Sequence, residues 1–162
     1  MSSANNNLSN NKGNEVPNAS GHIFGIVWAE WNTEITLAMK DGAFKTLMKY
    51  GVSEKDIIVK TVPGSFELTL GAQWMIENTD VEAVICIGCV IQGETKHFDF
   101  ICNAVANGIT NLNIEHSMPV IFGVLTPDNQ QQAIDRAGGK HGNKGDEAAI
   151  TAIKMVMLLD SF

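Results

Sequence analysis

The sequence has few of the features that mark secreted, membrane-spanning or nucleic-acid-binding proteins. It contains 3 cysteines, an odd number that is typical of a reducing compartment. No apolar run approaches the roughly 18 residues that a membrane-spanning helix needs. Lysine and arginine number 11 against 18 acidic residues, which gives a net charge of −7. Nucleic acids and anionic membranes need a broad basic surface, so neither is an expected partner.

The 162 residues are enough for one domain with its own core, and 44% of them are hydrophobic. Residues 1–21 are rich in Asn and Ser and almost without large apolar side chains, which predicts a disordered N-terminal tail. Residues 22–162 are predicted to form the folded domain. The N-terminus has no basic-then-apolar signal pattern, so we expect a cytoplasmic protein.

Two of the cysteines, Cys86 and Cys89, have the C-x-x-C spacing of many zinc sites. They lie within the apolar run 84–91, which is predicted to be a buried strand. Side chains three positions apart in a strand point to opposite faces, so the two thiols could not share one ion. We therefore expect buried, inert thiols and no metal site.

The hydrophobic pattern alternates between short apolar runs and longer amphipathic segments. It predicts strands at 23–28, 56–61, 81–91 and 119–125, and helices at 33–50, 66–77, 96–115, 126–137 and 146–159. Thr126 and Pro127 are expected to begin the fourth helix, as cap and first residue. This alternation predicts an α/β protein, a three-layer sandwich in which helices cover both faces of a parallel sheet. The last helix is apolar on more than one face, which indicates either deep burial or a subunit contact.

Residues with chemical capacity follow the predicted strands, and ligands bind at the carboxyl ends of strands in open parallel sheets. Gly93, Glu94 and Thr95 lie between a strand and a helix, an arrangement suited to holding phosphate. The alternative is an ordinary helix cap. His97 follows directly, and imidazole exchanges protons near neutral pH, so it is either a general acid–base or a structural residue.

Three further groups of residues have both a functional and a structural interpretation. Arg136 begins the only basic, glycine-rich segment and can grip phosphate with two hydrogen bonds, or it can complement a helix end. Trp31 can stack on a flat heterocycle, or it can cover the following helix. Ser65 and Glu67 can bind the hydroxyls of a polyol, or they can be favoured at a helix start.

Four motifs together resemble the 6,7-dimethyl-8-ribityllumazine synthase family of riboflavin biosynthesis. They are residues 62–67 (VPGSFE), 90–98 (VIQGETKHF), 119–126 (PVIFGVLT), and 135–138 with 142–145 (DRAG and GNKG). The resemblance runs from about residue 23 to 159 in the family's order and spacing. It implies a transferase that condenses 5-amino-6-(D-ribitylamino)uracil with 3,4-dihydroxy-2-butanone 4-phosphate, without a metal or organic cofactor. It also implies a flavodoxin-like fold with four parallel strands.

The resemblance implies a role for each matching residue. The uracil substrate is expected to contact Trp31, Asn32, Ser65, Phe66, Glu67, Cys89, Val90, Ile91, Phe122 and Lys144, and the butanone phosphate to contact Gly93, Glu94, Thr95 and Arg136. His97 matches the family's proton-transfer residue. Phe122 and Arg136 match residues that the family supplies from the adjacent subunit of a pentamer. The short connection 138–145 favours a 60-subunit icosahedral shell, and riboflavin synthase is a candidate partner.

The chain departs from the family's pattern after the first strand. Glu30 stands where the family often has arginine, and Trp31 stands where it often has phenylalanine. The tryptophan keeps the stacking role and favours flavin binding. A catalytically weak, flavin-binding or cage-forming paralogue is therefore an alternative to the enzyme. An electron-transfer flavodoxin and a phospho-accepting regulator are disfavoured, because neither a Ser/Thr/Gly-rich loop nor an acidic pair follows the first strand.

Overall fold

The computed structural model describes residues 16–162 and contains a four-stranded parallel sheet with helices on both faces. The strands are β1 (Phe24–Ala29), β2 (Ile57–Val62), β3 (Ala83–Cys89) and β4 (Val120–Leu125), and the helices are α1 (Thr33–Lys49), α2 (Leu68–Asn78), α3 (His97–His116), α4 (Gln130–Arg136) and α5 (Lys144–Leu159). The order β2-β1-β3-β4 is that of the flavodoxin-like arrangement. The predicted three-layer sandwich is confirmed.

The sheet separates two hydrophobic cores, because the side chains of each strand alternate between its faces. On one face α1 and α5 pack over Ile26, Ile85 and Ile87, and on the other α2 and α3 pack over Val27 and Val84. All seven residues of β3 are buried, which explains its unbroken run of apolar residues. No helix within residues 16–162 is long and apolar enough to cross a membrane.

The two cysteines of the C-x-x-C pair lie in different cores, as predicted. Cys86 packs beneath α2 and α3, and Cys89 packs beneath α1 and α5. Burial raises the pKa of each thiol to about 12. A thiol with so high a pKa is protonated at neutral pH and is a poor nucleophile and metal ligand. Within residues 16–162 there is no group of three or more His, Cys, Asp or Glu side chains placed to bind a metal ion.

The packed domain begins earlier than the predicted boundary at residue 22. Ala19 is fully buried, Val16 packs against the α1–α5 core, and the Ala19 amide donates to the Tyr50 carbonyl oxygen at 2.7 Å. The prediction missed this docking because small side chains such as Ala19 give little hydrophobic signal. The remainder of the predicted tail, residues 1–15, lies outside the described residues.

The fourth helix begins later than predicted, and the prediction of Thr126 as its cap is wrong. The Pro127 carbonyl accepts a hydrogen bond from the Gln92 amide at 2.9 Å, so the chain is still paired with its neighbour at this point. The cap is Asn129, whose side chain accepts from the Gln132 amide at 3.0 Å. After α4, the segment predicted as a loop forms a short antiparallel hairpin of β5 (Ala137–Gly139) and β6 (Gly142–Asn143).

Candidate active site

A cleft opens at the carboxyl end of the sheet, where β1 and β3 part. After β1 the chain stays paired with the segment that follows β2, since the Trp31 amide donates to the Pro63 carbonyl oxygen at 3.1 Å. After β3 the chain stays paired with the end of β4, since the Val90 amide donates to the Leu125 carbonyl oxygen at 2.8 Å. The cleft therefore lies at the topological switch point, where open α/β sheets bind ligands.

The cleft holds a cavity of about 640 Å³, a volume suited to a small molecule. Its lining consists of Trp31, Asn32, Gly64, Ser65, Phe66, Glu67, Cys89, Val90, Ile91, His97 and Ile101. Residues that are 70 positions apart in the sequence meet here because the carboxyl ends of β1, β2 and β3 share one edge of the sheet. Nine of the predicted site residues are among them.

Two of the lining residues were missed by sequence reasoning. Gly64 lies within the motif 62–67. It has no side chain, so the sequence gives no sign that it lines a binding cavity. Ile101 lies four residues after His97 on α3, and residues four apart occupy the same face of a helix. Its spacing from His97 was the signal that could have identified it.

Trp31 provides a broad apolar surface at the mouth of this cavity. Its side chain is 73% exposed, although its backbone is fixed by the hydrogen bond to Pro63. An indole that covered the following helix would be largely buried, so the structural interpretation of Trp31 is not supported. An exposed indole lining a cavity can stack on a flat heterocycle.

Ser65 places an unsatisfied hydroxyl at the side of the cavity. Its side chain is buried, and its Oγ has no hydrogen-bond partner among the described residues. Gly88 on β3 comes so close that a Cβ there would lie 2.7 Å from this oxygen. Ser65 and Glu67 lie in the turn that leads into α2, as the structural interpretation expects, but neither shows a side-chain cap hydrogen bond, so both interpretations of this pair stand. A buried hydroxyl without a partner costs roughly 1–3 kcal/mol, which a ligand's hydroxyl could offset.

His97 is the first residue of α3 and lines the cavity. Its backbone amide donates to the Thr95 Oγ1 at 3.4 Å, which orders the start of the helix. His97 is exposed and accessible from the cavity. An accessible imidazole at the edge of a cavity is suited to general acid–base catalysis.

The predicted phosphate loop borders this cavity without lining it. Gly93, Glu94 and Thr95 are exposed between β3 and the first residue of α3. A Cβ at Gly93 would meet no atom within 4 Å, so the fold itself does not require a glycine there. The open space beside Gly93, at the start of α3, leaves room for an anion.

The remaining predicted residues lie around a second cavity, at the edge formed by β4 and α4. It measures about 480 Å³ and is lined by Phe122, Val124, Leu125, Thr126, Pro127, Gln132, Arg136 and Lys144. Phe122 is 38% exposed on β4, which is an edge strand of the sheet. Among residues 16–162, therefore, Phe122, Arg136 and Lys144 line the second cavity and not the first, which holds Trp31 and His97.

The charges around the second cavity leave one guanidinium available. The Lys144 ammonium lies 3.0 Å from the Glu147 carboxylate, and Asp135 is held at 2.9 Å by Lys140. Hydrogen bonds from Lys140 and then Gln131 lower the pKa of Asp135. No carboxylate within residues 16–162 forms a salt bridge with Arg136. An unpaired guanidinium in an acidic protein is suited to bind an anionic group.

Residues 21–160 match the model of the family described as 6,7-dimethyl-8-ribityllumazine synthase. A protein of that name from Cytophaga hutchinsonii is 64% identical over 156 residues, which cover 96% of this chain and 98% of the relative. Another from Parabacteroides distasonis is 55% identical over the same shares of the two chains. A third, from Bacteroides fragilis, is 60% identical over 82% of this chain and 93% of the relative.

The family model matches almost all of the described residues, and the identities extend over nearly the whole chain. The match includes the residues of both cavities and of the predicted phosphate loop. The chain belongs to the 6,7-dimethyl-8-ribityllumazine synthase family.

Proposed function

We propose that this chain condenses 5-amino-6-(D-ribitylamino)uracil with 3,4-dihydroxy-2-butanone 4-phosphate, forming 6,7-dimethyl-8-ribityllumazine and releasing phosphate and water. Membership of the family supports this transferase reaction, which is the penultimate step of riboflavin biosynthesis. The observation that carries the proposal is the cavity at the switch point, which combines an exposed indole, a buried unsatisfied hydroxyl and an accessible imidazole.

The first cavity is proposed to bind the uracil substrate. Trp31 stacks on its ring, and the backbone from Cys89 to Ile91 lies where the ring edge can be read. The ribityl chain extends toward Ser65, Phe66 and Glu67, where the Ser65 hydroxyl gains the partner it lacks. Asn32 completes the wall beside the ring.

The phosphate of the second substrate is proposed to bind at the start of α3. The support is that Gly93, Glu94 and Thr95 come directly before α3, since a helix start favours anions, and Glu94 is proposed to contribute through its backbone. Arg136 supplies the neutralising charge, which explains how a protein of net charge −7 holds an anion. Phe122 and Lys144 accompany Arg136 from the second cavity.

His97 lies between these two positions and is proposed to transfer protons during the reaction. The substrate amine attacks the butanone carbonyl and water leaves, which forms a Schiff base. Loss of a proton then accompanies elimination of phosphate, and ring closure releases further water. His97 can accept and return protons in these steps, and holding two substrates together supplies much of the remaining acceleration.

The two cavities are proposed to meet across a subunit boundary, so that the active unit is a homo-oligomer, a pentamer. The support is that Arg136 and His97 line different cavities of one chain, although the reaction needs both. Large apolar side chains also remain exposed on one chain, among them Phe66, Trp74, Phe100, Ile114 and Leu159. The short connection between α4 and α5 supports assembly of pentamers into a 60-subunit shell.

Two further features are proposed, the location of the protein and a partner. All three cysteines are free thiols, which supports a cytoplasmic location, where thiols stay reduced. Riboflavin synthase is the proposed partner, because it uses the product of this reaction. The flavin-binding paralogue is not favoured, since relatives up to 64% identical bear the synthase name.

The reaction is tested by mixing the purified protein with both substrates and following the absorbance of the lumazine product. We expect product to appear only when both substrates and the protein are present. Tight binding of riboflavin without product formation would instead establish the paralogue. The mass of the assembly in solution, measured by light scattering, tests the pentamer and the shell.

Arg136→Ala is expected to raise the KM for the butanone phosphate by about 10- to 100-fold, the usual effect of losing a hydrogen bond to a charged group. The KM for the uracil substrate should change less than about threefold, because Arg136 does not line its cavity. Initial rates over a range of each substrate measure both values. Lys60→Ala, which removes an exposed positive charge from β2, is the control. Equal increases in both KM values would contradict the assignment.

A mixture of two impaired variants, assayed with the butanone phosphate far below the KM of Arg136→Ala, tests whether each site uses two chains. His97→Ala and Arg136→Ala protomers are unfolded together, refolded together and assayed. If the sites form between neighbouring chains, roughly one site in four receives intact residues from both sides, and activity returns to about a quarter of the wild-type level. Each variant refolded alone is the control. A mixture no more active than the average of the two would show that each site uses one chain.

A further inference from the structure

The chain at the mouth of the first cavity turns sharply through Asn32. This residue has φ 61° and ψ 45°, the left-handed conformation that non-glycine residues seldom adopt. Asparagine tolerates it better than most residues. Asn32 is also the residue that precedes α1, and its carbonyl oxygen accepts from the amides of Ile35 at 2.9 Å and Thr36 at 3.1 Å. A strained conformation at a cavity wall is more typical of a functional constraint than of a structural one.

The side chain of Asn32 does not perform the usual task of a residue at this position. An asparagine before a helix ordinarily accepts a hydrogen bond from one of the first helical amides, but here there is no such bond. Instead its Nδ2 donates to the Cys89 carbonyl oxygen at 3.0 Å. The helix start therefore does not depend on this side chain, and some other role must explain it.

The hydrogen bond from Asn32 to Cys89 crosses the opening between the two halves of the sheet. The segment after Ala29 stays paired with the end of β2, and the segment after Cys89 stays paired with the end of β4. Trp31, directly before Asn32, lines one wall, and Val90, directly after Cys89, lines the other. The 3.0 Å contact thus joins the two walls at the point where they separate.

We infer that Asn32 is a positioning residue that sets the width of the slot between Trp31 and the backbone of residues 89–91. Its amide acts through Trp31, because the left-handed turn and the bond to Cys89 together fix where the exposed indole stands. This inference rests on the proposed function, since the slot is where the uracil ring is proposed to lie.

Asn32→Gly separates the two properties of this residue, because glycine adopts the left-handed conformation freely but has no amide. We expect the KM for the uracil substrate to rise about tenfold and the KM for the butanone phosphate to stay within about twofold, as for loss of one hydrogen bond. Thermal unfolding should be little changed, because the side chain does not cap α1. Asn32→Asp should raise the KM for the uracil substrate further. Its carboxylate has no donor for the Cys89 carbonyl oxygen and would be repelled by it.

A spectroscopic measurement without substrate distinguishes positioning from direct contact with the ring. In a Trp28→Phe/Trp74→Phe background, Trp31 is the only tryptophan, and its fluorescence anisotropy decay reports how firmly the indole is held. Adding Asn32→Gly should increase its fast local motion in the ligand-free protein. Ser117→Gly is the matched control, because Ser117 also has positive φ, at 47°, and follows α3 at the other end of the sheet.

Each outcome decides the inference. A raised KM for the uracil together with a more mobile Trp31 supports it. An unchanged KM overturns it, and so does a raised KM with an unchanged Trp31, which would mean that the amide contacts the substrate directly. The proposed function fails separately, because a wild-type protein that makes no lumazine would leave the Trp31 measurement intact.

Discussion

His97→Ala is expected to lower kcat for lumazine formation at least about 100-fold, the lower end of the usual contribution of a general acid–base. The KM values for both substrates should change little, because the imidazole is proposed to act on protons rather than to anchor either molecule. Steady-state rates with each substrate varied in turn measure both effects. Added imidazole should restore part of the lost rate, since a small base can occupy the space left by the side chain.

His116→Ala is the matched control for this variant. His97 and His116 are the first and last residues of the same helix, so they lie at opposite ends of the sheet. Both replacements remove an imidazole from α3, but only His97 lines the first cavity. Because the His97 side chain is exposed, its loss should leave the thermal unfolding midpoint unchanged. A His97→Ala enzyme with nearly normal kcat would contradict the proposed proton transfer.

The core elements could be predicted from sequence because their signals are local. The helix predicted at 33–50 is observed at Thr33–Lys49, and the strand predicted at 119–125 is observed at Val120–Leu125. An apolar run or a helical stripe reports burial directly, whatever the rest of the chain does. The fourth helix was misplaced because its start depends on a hydrogen bond from Gln92, which is far away in the sequence.

The candidate site could be predicted in outline, since ligands bind at the strand ends of such sheets. That rule is enough to group Trp31, Ser65 and His97 at one edge of the sheet. It could not reveal the contact of Asn32 with Cys89 or that of Ser65 with Gly88, because each joins residues far apart in the sequence. Resemblance to the family supplied roles for residues but not these contacts.

The second cavity depends on how the start of α5 is held, in a segment that the sequence predicts only as the short connection 138–145. Asn143 accepts from the Gly145 amide at 2.8 Å and donates to the Ala38 carbonyl oxygen at 2.9 Å. Lys144, between them in sequence, lines the second cavity with Arg136. The glycine-rich segment therefore fixes α5 against the backbone of α1 and places a cationic side chain at the same time.

Gly145→Ala is expected to destabilise the protein by more than about 3 kcal/mol, beyond the usual cost of overpacking a core. A Cβ at this position would lie 1.8 Å from the carbonyl oxygen of Met39 and 2.6 Å from its carbonyl carbon. These are backbone atoms within α1, so the clash is relieved only by moving two packed helices apart. At an unhindered helix position the same change stabilises a protein by about 1 kcal/mol. A loss of stability in Gly145→Ala would therefore indicate the close contact with Met39.

Two other glycines make this prediction quantitative. At Gly42 a Cβ would meet the side chains of Asn143 and Asp146 at 2.6 Å, which can shift more easily than backbone. At Gly93 it would meet no atom within 4 Å. Urea unfolding followed by circular dichroism should therefore rank the alanine variants, with Gly93→Ala near wild type, Gly42→Ala intermediate and Gly145→Ala least stable. A Gly145→Ala protein within about 1 kcal/mol of wild type would show that α1 and α5 are not packed this closely, and with that the placement of Lys144 beside Arg136 would lose its structural basis.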